Sequence, residues 1–166
     1  MSSTRVAVAL ALLAGVMTGV ALWLVTSADA WGLTEARELP TDAAVGLSYS
    51  AAAVLVLSGT GGRRIGWLLL GIGLCGATTS LGTAVAVTAT GPAPLPGVAE
   101  NLESWIWVGG FVPLLTLVPL LYPDGRLPDR RWWPWLATSV VGMGLLAVGS
   151  AAYPGPVAQA VFLVGA

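Results

Sequence analysis

The feature that most constrains the fold is a run of 23 residues, from Ile65 to Val87, that contains no charged side chain. A helix needs about 20 apolar residues to cross the hydrocarbon core of a bilayer. The whole chain is 56 % hydrophobic and 9 % charged, whereas soluble domains carry about 25 % charged residues. The sequence therefore predicts an all-α protein, a polytopic transmembrane helical bundle in which residues 1–166 form a single integral-membrane domain.

The same run contains GIGLCG, from Gly71 to Gly76, which matches the G-x-G-x-x-G pattern of dinucleotide-binding turns. Such a turn requires a strand before it, a helix after it and an acidic residue about 20 positions later. The first acid that follows is Glu100, beyond a proline-rich segment. Small residues recur at helical spacing through the run: Gly66, Gly73, Gly76, Ser80 and Thr83. Small residues let helices approach closely in lipid, so we interpret GIGLCG as a packing face in mid-helix, as we do the Gly15-x-x-x-Gly19 pair.

Five complete apolar runs and one short run define the predicted spans. They cover residues 6–26, 43–60, 65–87, 102–122, 133–153 and 157–166. The last run would reach only about 15 Å as a helix, so it is predicted to be a truncated sixth span. An A-x-A pattern after the first run is typical of signal-peptide cleavage, but the apolar part of a signal peptide has about 7–15 residues. We therefore expect a retained first span.

The arginines predict the orientation of the bundle, since cytoplasmic loops are enriched in Lys and Arg. All seven basic residues are arginine, and six of them lie before the first span or in loops 58–64 and 123–132. The other loops hold Arg37 together with most of the acids. We expect a cytoplasmic N-terminus, with loops 27–42 and 88–101 outside. The net charge of −1 gives no indication of a nucleic-acid partner.

The fourth predicted span contains residues that could take part in sensing or transmitting a signal. Pro113 and Pro119 each remove a backbone hydrogen bond and kink a helix, which fits either a hinge or a static kink. Glu100 and Glu103, at the outer mouth, could bind a cation or sense pH. The interpretation we favour is a negative charge at a helix N-terminus, with Asn101 as its cap.

The predicted inner loop between the fourth and fifth spans is the most distinctive segment. Pro123-Asp124-Gly125 fits a type I turn, and Pro128 can open a short helix. Its arginines are expected at anionic headgroups, and its short length predicts that the two spans are antiparallel neighbours.

Three segments resemble the N-terminal membrane region of bacterial two-component sensor histidine kinases. They are IGWLLLGIGL from Ile65, WIW from Trp105, and LLYPDGRLPDRRWWPW from Leu120. An IGWLLL span and an FPDGRLPS-RW inner loop recur in this order in that group. Tyr122 stands where phenylalanine is usual and Asp129 where serine is usual, and the resemblance covers roughly residues 60–150.

The resemblance implies a sensor in the bacterial plasma membrane that passes a signal to a cytoplasmic kinase half, with a homodimer formed by helix packing and a response regulator as downstream partner. The chain has no histidine, so no phosphoacceptor can be assigned, and we identify no catalytic, cofactor-binding or metal-binding residue. Two alternatives stay open. One is a stand-alone small membrane protein with a structural or partner-binding role, and the other is a transporter subunit. The hydroxyl cluster from Thr78 to Thr83 is the only polar group that suggests transport.

Overall fold

The computed structural model describes residues 3–59, 62–89, 95–122 and 125–152, and these residues contain helices but no strand. The α-helices in chain order are α1 (Ser3–Ser27), α2 (Leu39–Ser58), α3 (Arg63–Thr88), α4 (Leu95–Leu115), α5 (Leu117–Leu121) and α6 (Trp133–Ala152). Short 3-10 turns lie at Ala30–Gly32, Glu35–Arg37 and Arg130–Trp132. The all-helical fold is confirmed.

Four helical stretches of the described residues are long and apolar enough to cross a membrane: Thr4–Ser27, Glu35–Ser58, Arg63–Thr88 and Arg130–Ser150. They correspond to the first, second, third and fifth predicted spans. The sixth, residues 157–166, lies outside the described residues. The count of five complete spans therefore stays a prediction, and it depends on the fourth.

The fourth predicted span is two helices rather than one. α4 ends at Leu115, and α5 begins at Leu117 after a break at Thr116. Pro119 has no N–H to donate to the carbonyl four residues earlier, and its ring clashes with that carbonyl. The carbonyl belongs to Leu115, where the helix ends, so Pro119 accounts for the break. Pro113 lies inside α4 without ending it.

Helices α2 and α4 begin four and seven residues earlier than the predicted starts at residues 43 and 102. α2 begins at Leu39 with Pro40 in its first turn, and α4 begins at Leu95. Proline is pre-organised for a helix start because its φ is already fixed, and Pro96 occupies the second position of α4. The expected role of Asn101 as an N-cap is therefore wrong, since this residue lies in the second turn of α4.

Helix α3 is the centre of the bundle and contacts α1, α2 and α4. Half of its most apolar 18-residue stretch is buried, against 6 % of that of α6. Ala7 of α1 and Leu57 of α2 pack with Leu70 near one end of α3, whereas Val25 and Leu39 pack with Ala84 near the other. α1 and α3 therefore run in the same direction, and α2 runs in the opposite direction. α6 packs mainly on α4, as expected for consecutive spans.

Helix α1 packs through alanines rather than through its glycines. Ala7, Ala14 and Ala21 are fully buried at heptad spacing, and heptad positions recur on one helix face. A Cβ at Gly15 or Gly19 would meet nothing within 4 Å. The prediction that these two glycines pack against a neighbouring helix is therefore wrong within the described chain, because α1 turns its alanine face inward.

Candidate functional site

Helices α3 and α2 approach each other closely at Gly73 and Gly76. A Cβ at Gly73 would lie 2.7 Å from the Ser50 backbone nitrogen and 3.1 Å from the Gly46 carbonyl oxygen. A Cβ at Gly76 would lie 2.9 Å from the Gly46 nitrogen. GIGLCG lies within the continuous helix α3, as predicted. Gly73 and Gly76 belong to its packing face, whereas a Cβ at Gly71 would meet nothing within 4 Å.

The hydroxyl cluster of α3 is satisfied by the helix itself. Thr78, Thr79, Ser80 and Thr83 each donate to the carbonyl oxygen four residues earlier, at 2.8 to 3.1 Å. This bond occupies their hydroxyl hydrogens. The buried Ser50 hydroxyl has no hydrogen-bond partner among the described residues, and the nearby Gly46 carbonyl is four residues before it. The four α3 hydroxyls are therefore bonded within their own helix.

Helix α4 packs closely on α3 where Gly109 and Gly110 lie against the Cys75 side chain. We call this contact the Cys75 notch. A Cβ at Gly109 would lie 3.0 Å from the Cys75 Sγ, and one at Gly110 would lie 3.3 Å from the Cys75 Cβ. Gly109-Gly110 thus leaves room for the thiol side chain between the two helices. This notch lies about two turns before the break at Thr116, so α4 is fixed on α3 on one side of the break.

An apolar groove lies beside the break itself. It is lined by Thr116, Pro119 and Leu120 from the α4–α5 region and by Pro128 and Trp132 from the following loop. Thr116 keeps a bond to the preceding turn, because both its N–H and its hydroxyl donate to the Val112 carbonyl, at 3.0 and 2.7 Å. Pro128 and Trp132, in the segment that follows α5, therefore lie beside the break.

Six arginines from separate segments collect at one end of the bundle. The Thr4 hydroxyl donates to the Leu57 carbonyl at 3.4 Å, which brings the start of α1 to the end of α2. A Cβ at Gly125 would lie 3.2 Å from the Ile65 nitrogen, which brings the inner loop to the start of α3. We call this region the arginine end; its basic residues are Arg5, Arg63, Arg64, Arg126, Arg130 and Arg131, all of them exposed.

The loop at the arginine end is organised by an aspartate that sequence reasoning did not assign. Asp129 Oδ1 accepts a hydrogen bond from the Arg130 N–H at 2.5 Å, and its other oxygen lies 3.7 Å from the Arg131 Nε. Asp129 is the N-cap of the 3-10 turn Arg130–Trp132, and Pro128 stands just before it. The predicted turn at Pro123 and Asp124 lies outside the described residues.

The opposite end of the bundle carries most of the remaining charges. Asp29, Glu35, Arg37 and Glu38 are exposed there, around the 3-10 turns that pack Ala30 and Ala36 on the bundle. Glu100 and Glu103 lie within α4 rather than before it. Among the described residues, no three potential metal ligands come together.

No family model, curated protein or solved structure matches the chain.

The residues that sequence reasoning missed carry modest signals. Gly46-x-x-x-Ser50 on α2 is the partner surface of Gly73 and Gly76, and it has the small-x-x-x-small spacing typical of membrane helix contacts. Asp129 lies between a proline and a helical turn, and aspartate is one of the residue types preferred at an N-cap. The Cys75 notch has no local signal, because it depends on the register of α3 against α4.

Proposed function

We propose that this chain is the membrane-embedded input region of a bacterial two-component histidine kinase, in the plasma membrane with its N-terminus and arginine end in the cytoplasm. The observation that carries the proposal is the ordered resemblance of three segments: IGWLLLGIGL, WIW and the inner loop that ends in RRWWPW. The first lies on the central helix, the second on α4, and the third follows the helix break.

The mechanism we propose is a helix rearrangement at the break. Residues before Thr116 are seated on α3 through Gly109 and Gly110, whereas α5 and the inner loop meet across an apolar groove. A change of angle at Thr116 would tilt α5 and pull the inner loop away from its contact with the start of α3 at Gly125. The helix that follows would carry that movement to a kinase half.

The partners in this proposal are a second copy of the chain and, through the kinase half, a response regulator. The exposed face of α1 with Gly15 and Gly19 supports a homodimer. A Cβ added at either glycine would meet nothing within 4 Å, and glycines let a helix of another copy approach closely. Histidine kinases of the group that the chain resembles act as dimers, and the described residues leave the two glycines without a neighbour within 4 Å of an added Cβ.

The test is the reading frame that contains this chain. We expect it to continue past Ala166 into a histidine-bearing helix and a glycine-rich ATP-binding domain. The purified product in nanodiscs should incorporate phosphate from ATP, and a His→Gln change at the phosphoacceptor should abolish incorporation. A stop codon shortly after Ala166 would refute the proposal and favour the alternative, a stand-alone small membrane protein.

A further inference from the structure

An open depression lies where α6 begins, lined by Arg130, Arg131, Trp133 and Pro134. The Arg131 side chain is 92 % exposed, and its ion pair with Asp129 spans 3.7 Å at the surface. Such exposed pairs are weak. A guanidinium has five N–H donors, so the two arginines can present several donors to a ligand in this depression.

The depression continues into an exposed apolar track on α6. Pro134, Val141, Leu145 and Val148 follow one another at spacings of seven, four and three, which places them on one face of the helix. Val141, Leu145 and Val148 are 61 to 69 % exposed. Arginine donors lie at the start of α6, and the apolar track runs along the helix from there. This arrangement matches a ligand that carries a phosphate and hydrocarbon chains on the same molecule.

The charge of the arginine end favours an anionic molecule. In the sequence of these segments, six arginines stand against two acidic residues, Asp124 and Asp129. Arginine binds phosphate in a bidentate fashion through its planar fork of donors. The exposed ring of Trp133 suits the headgroup level, where amphipathic aromatic rings prefer to lie.

We propose that the depression formed by Arg130, Arg131, Trp133 and Pro134 binds the phosphodiester headgroup of an anionic phospholipid, with an acyl chain along Val141, Leu145 and Val148. The inference does not depend on the kinase proposal, since it uses only the start and outer face of α6. A protein partner at this place would have to cover the apolar track as well as the arginines, whereas a lipid covers both in its ordinary orientation.

The test is lipid retention by the purified chain, measured by native mass spectrometry after reconstitution with phosphatidylglycerol or phosphatidylcholine of identical chains. We expect phosphatidylglycerol to be retained preferentially. The double variant Arg130→Gln/Arg131→Gln should bind it about 10- to 30-fold more weakly, because each basic residue near the headgroups contributes to this attraction. The matched control is Arg37→Gln, which removes an exposed arginine at the opposite end and should leave retention unchanged.

Further arms identify the source of the phosphate and keep the test independent of folding. Inorganic phosphate and glycerophosphoglycerol, which has no acyl chains, should not displace the lipid at equal concentration. The single variant Arg131→Gln changes a side chain that is almost fully exposed and should already weaken retention. Equal retention of both lipids, an equal loss in Arg37→Gln, displacement by inorganic phosphate, or a co-purifying protein that protects these arginines in place of lipid would overturn the proposal.

Discussion

Gly73 lies directly against Ser50, so that a Cβ at position 73 would be 2.7 Å from the Ser50 backbone nitrogen and in contact with its hydroxyl oxygen. Gly71, two residues earlier on the same helix, has nothing within 4 Å. The glycines of GIGLCG therefore differ in role. Gly73 and Gly76 face α2, whereas Gly71 faces away from every described neighbour.

Gly73→Ala should destabilise the bundle by about 1–3 kcal/mol, the usual cost of overpacking a close contact. The backbone of Ser50 cannot move without moving α2. Gly71→Ala is the matched control, and it should be neutral or stabilising by up to about 1 kcal/mol because alanine is the better helix former. Unfolding of both variants in the same micelles measures the difference; equal stability of the two would contradict the packing role.

Features that depend on residues close together in the sequence could be predicted, whereas contacts between distant residues could not. The absence of charge from Ile65 to Val87 and the spacing of Gly66, Gly73 and Gly76 are local features, and they predicted a helix with a small-residue face. The start of α4 was missed because the prolines near residue 95 indicated a loop, although proline is equally suited to a first helical turn.

The candidate site was less predictable than the fold. Periodicity shows that Gly15 and Gly19 share a face, but the alanine face of α1 offers an equally small surface, and only the packed bundle decides between them. The clustering of Arg5 with Arg64 and Arg126 could be expected from their loops, since charge patterns indicate a common side. The contact of Gly125 with α3 joins residues about 60 positions apart and has no local signal.

Substitutions at Gly109 and Cys75, the two sides of the notch between α3 and α4, should be coupled in their effects on stability. Gly109→Ala would bring a Cβ to 3.0 Å from the Cys75 Sγ, and we expect a loss of about 1 kcal/mol as the thiol side chain is displaced. Cys75→Ala removes the sulfur, so the double variant should be more stable than the sum of the single changes. A double-mutant cycle by thermal unfolding measures this interaction free energy. Strict additivity of the two changes would show that Gly109 and Cys75 are not in contact.

The break after α4 should depend on Pro119. Pro119→Ala restores an N–H that can donate to the Leu115 carbonyl, so we expect α4 and α5 to join into one helix. The matched control is Pro113→Ala, because Pro113 already lies inside α4 and its replacement should leave the break at Thr116 unchanged.

Spin labels on either side of the break measure this change. Phe111→Cys and Tyr122→Cys introduce labels at exposed positions, in a Cys75→Ala background. A continuous helix separates these positions by about 16 Å along its axis. The distance distribution should narrow in Pro119→Ala and keep its parental width in Pro113→Ala; identical distributions in all three proteins would argue against a hinge.

The proposed orientation predicts which end of the bundle is accessible from outside the cell. In the Cys75→Ala background, Arg37→Cys should react with a membrane-impermeant maleimide on intact cells. Arg126→Cys, which is also exposed on the molecule, should react only after permeabilisation. The reverse pattern would place the arginine end outside and contradict the rule that basic loops stay in the cytoplasm.

Gly125 is where the inner loop depends on α3, and it combines two constraints. Its φ is +69°, a left-handed conformation that costs other residues about 1–2 kcal/mol. A Cβ there would also contact the Arg64 Cβ and lie 3.2 Å from the Ile65 nitrogen. The Gly125 N–H donates to the Leu121 carbonyl at 2.7 Å, which ties the same residue to the end of α5.

Gly125→Ala should therefore destabilise the protein by about 2–4 kcal/mol, since backbone strain and overpacking add at one position. Gly32→Ala is the control, because a Cβ at that loop glycine would meet nothing within 4 Å and its φ lies outside the left-handed region. Denaturant unfolding in micelles gives both values. If Gly125→Ala is as stable as Gly32→Ala, the inner loop does not rest on the start of α3, and the arginines of the two loops are not held together by this contact.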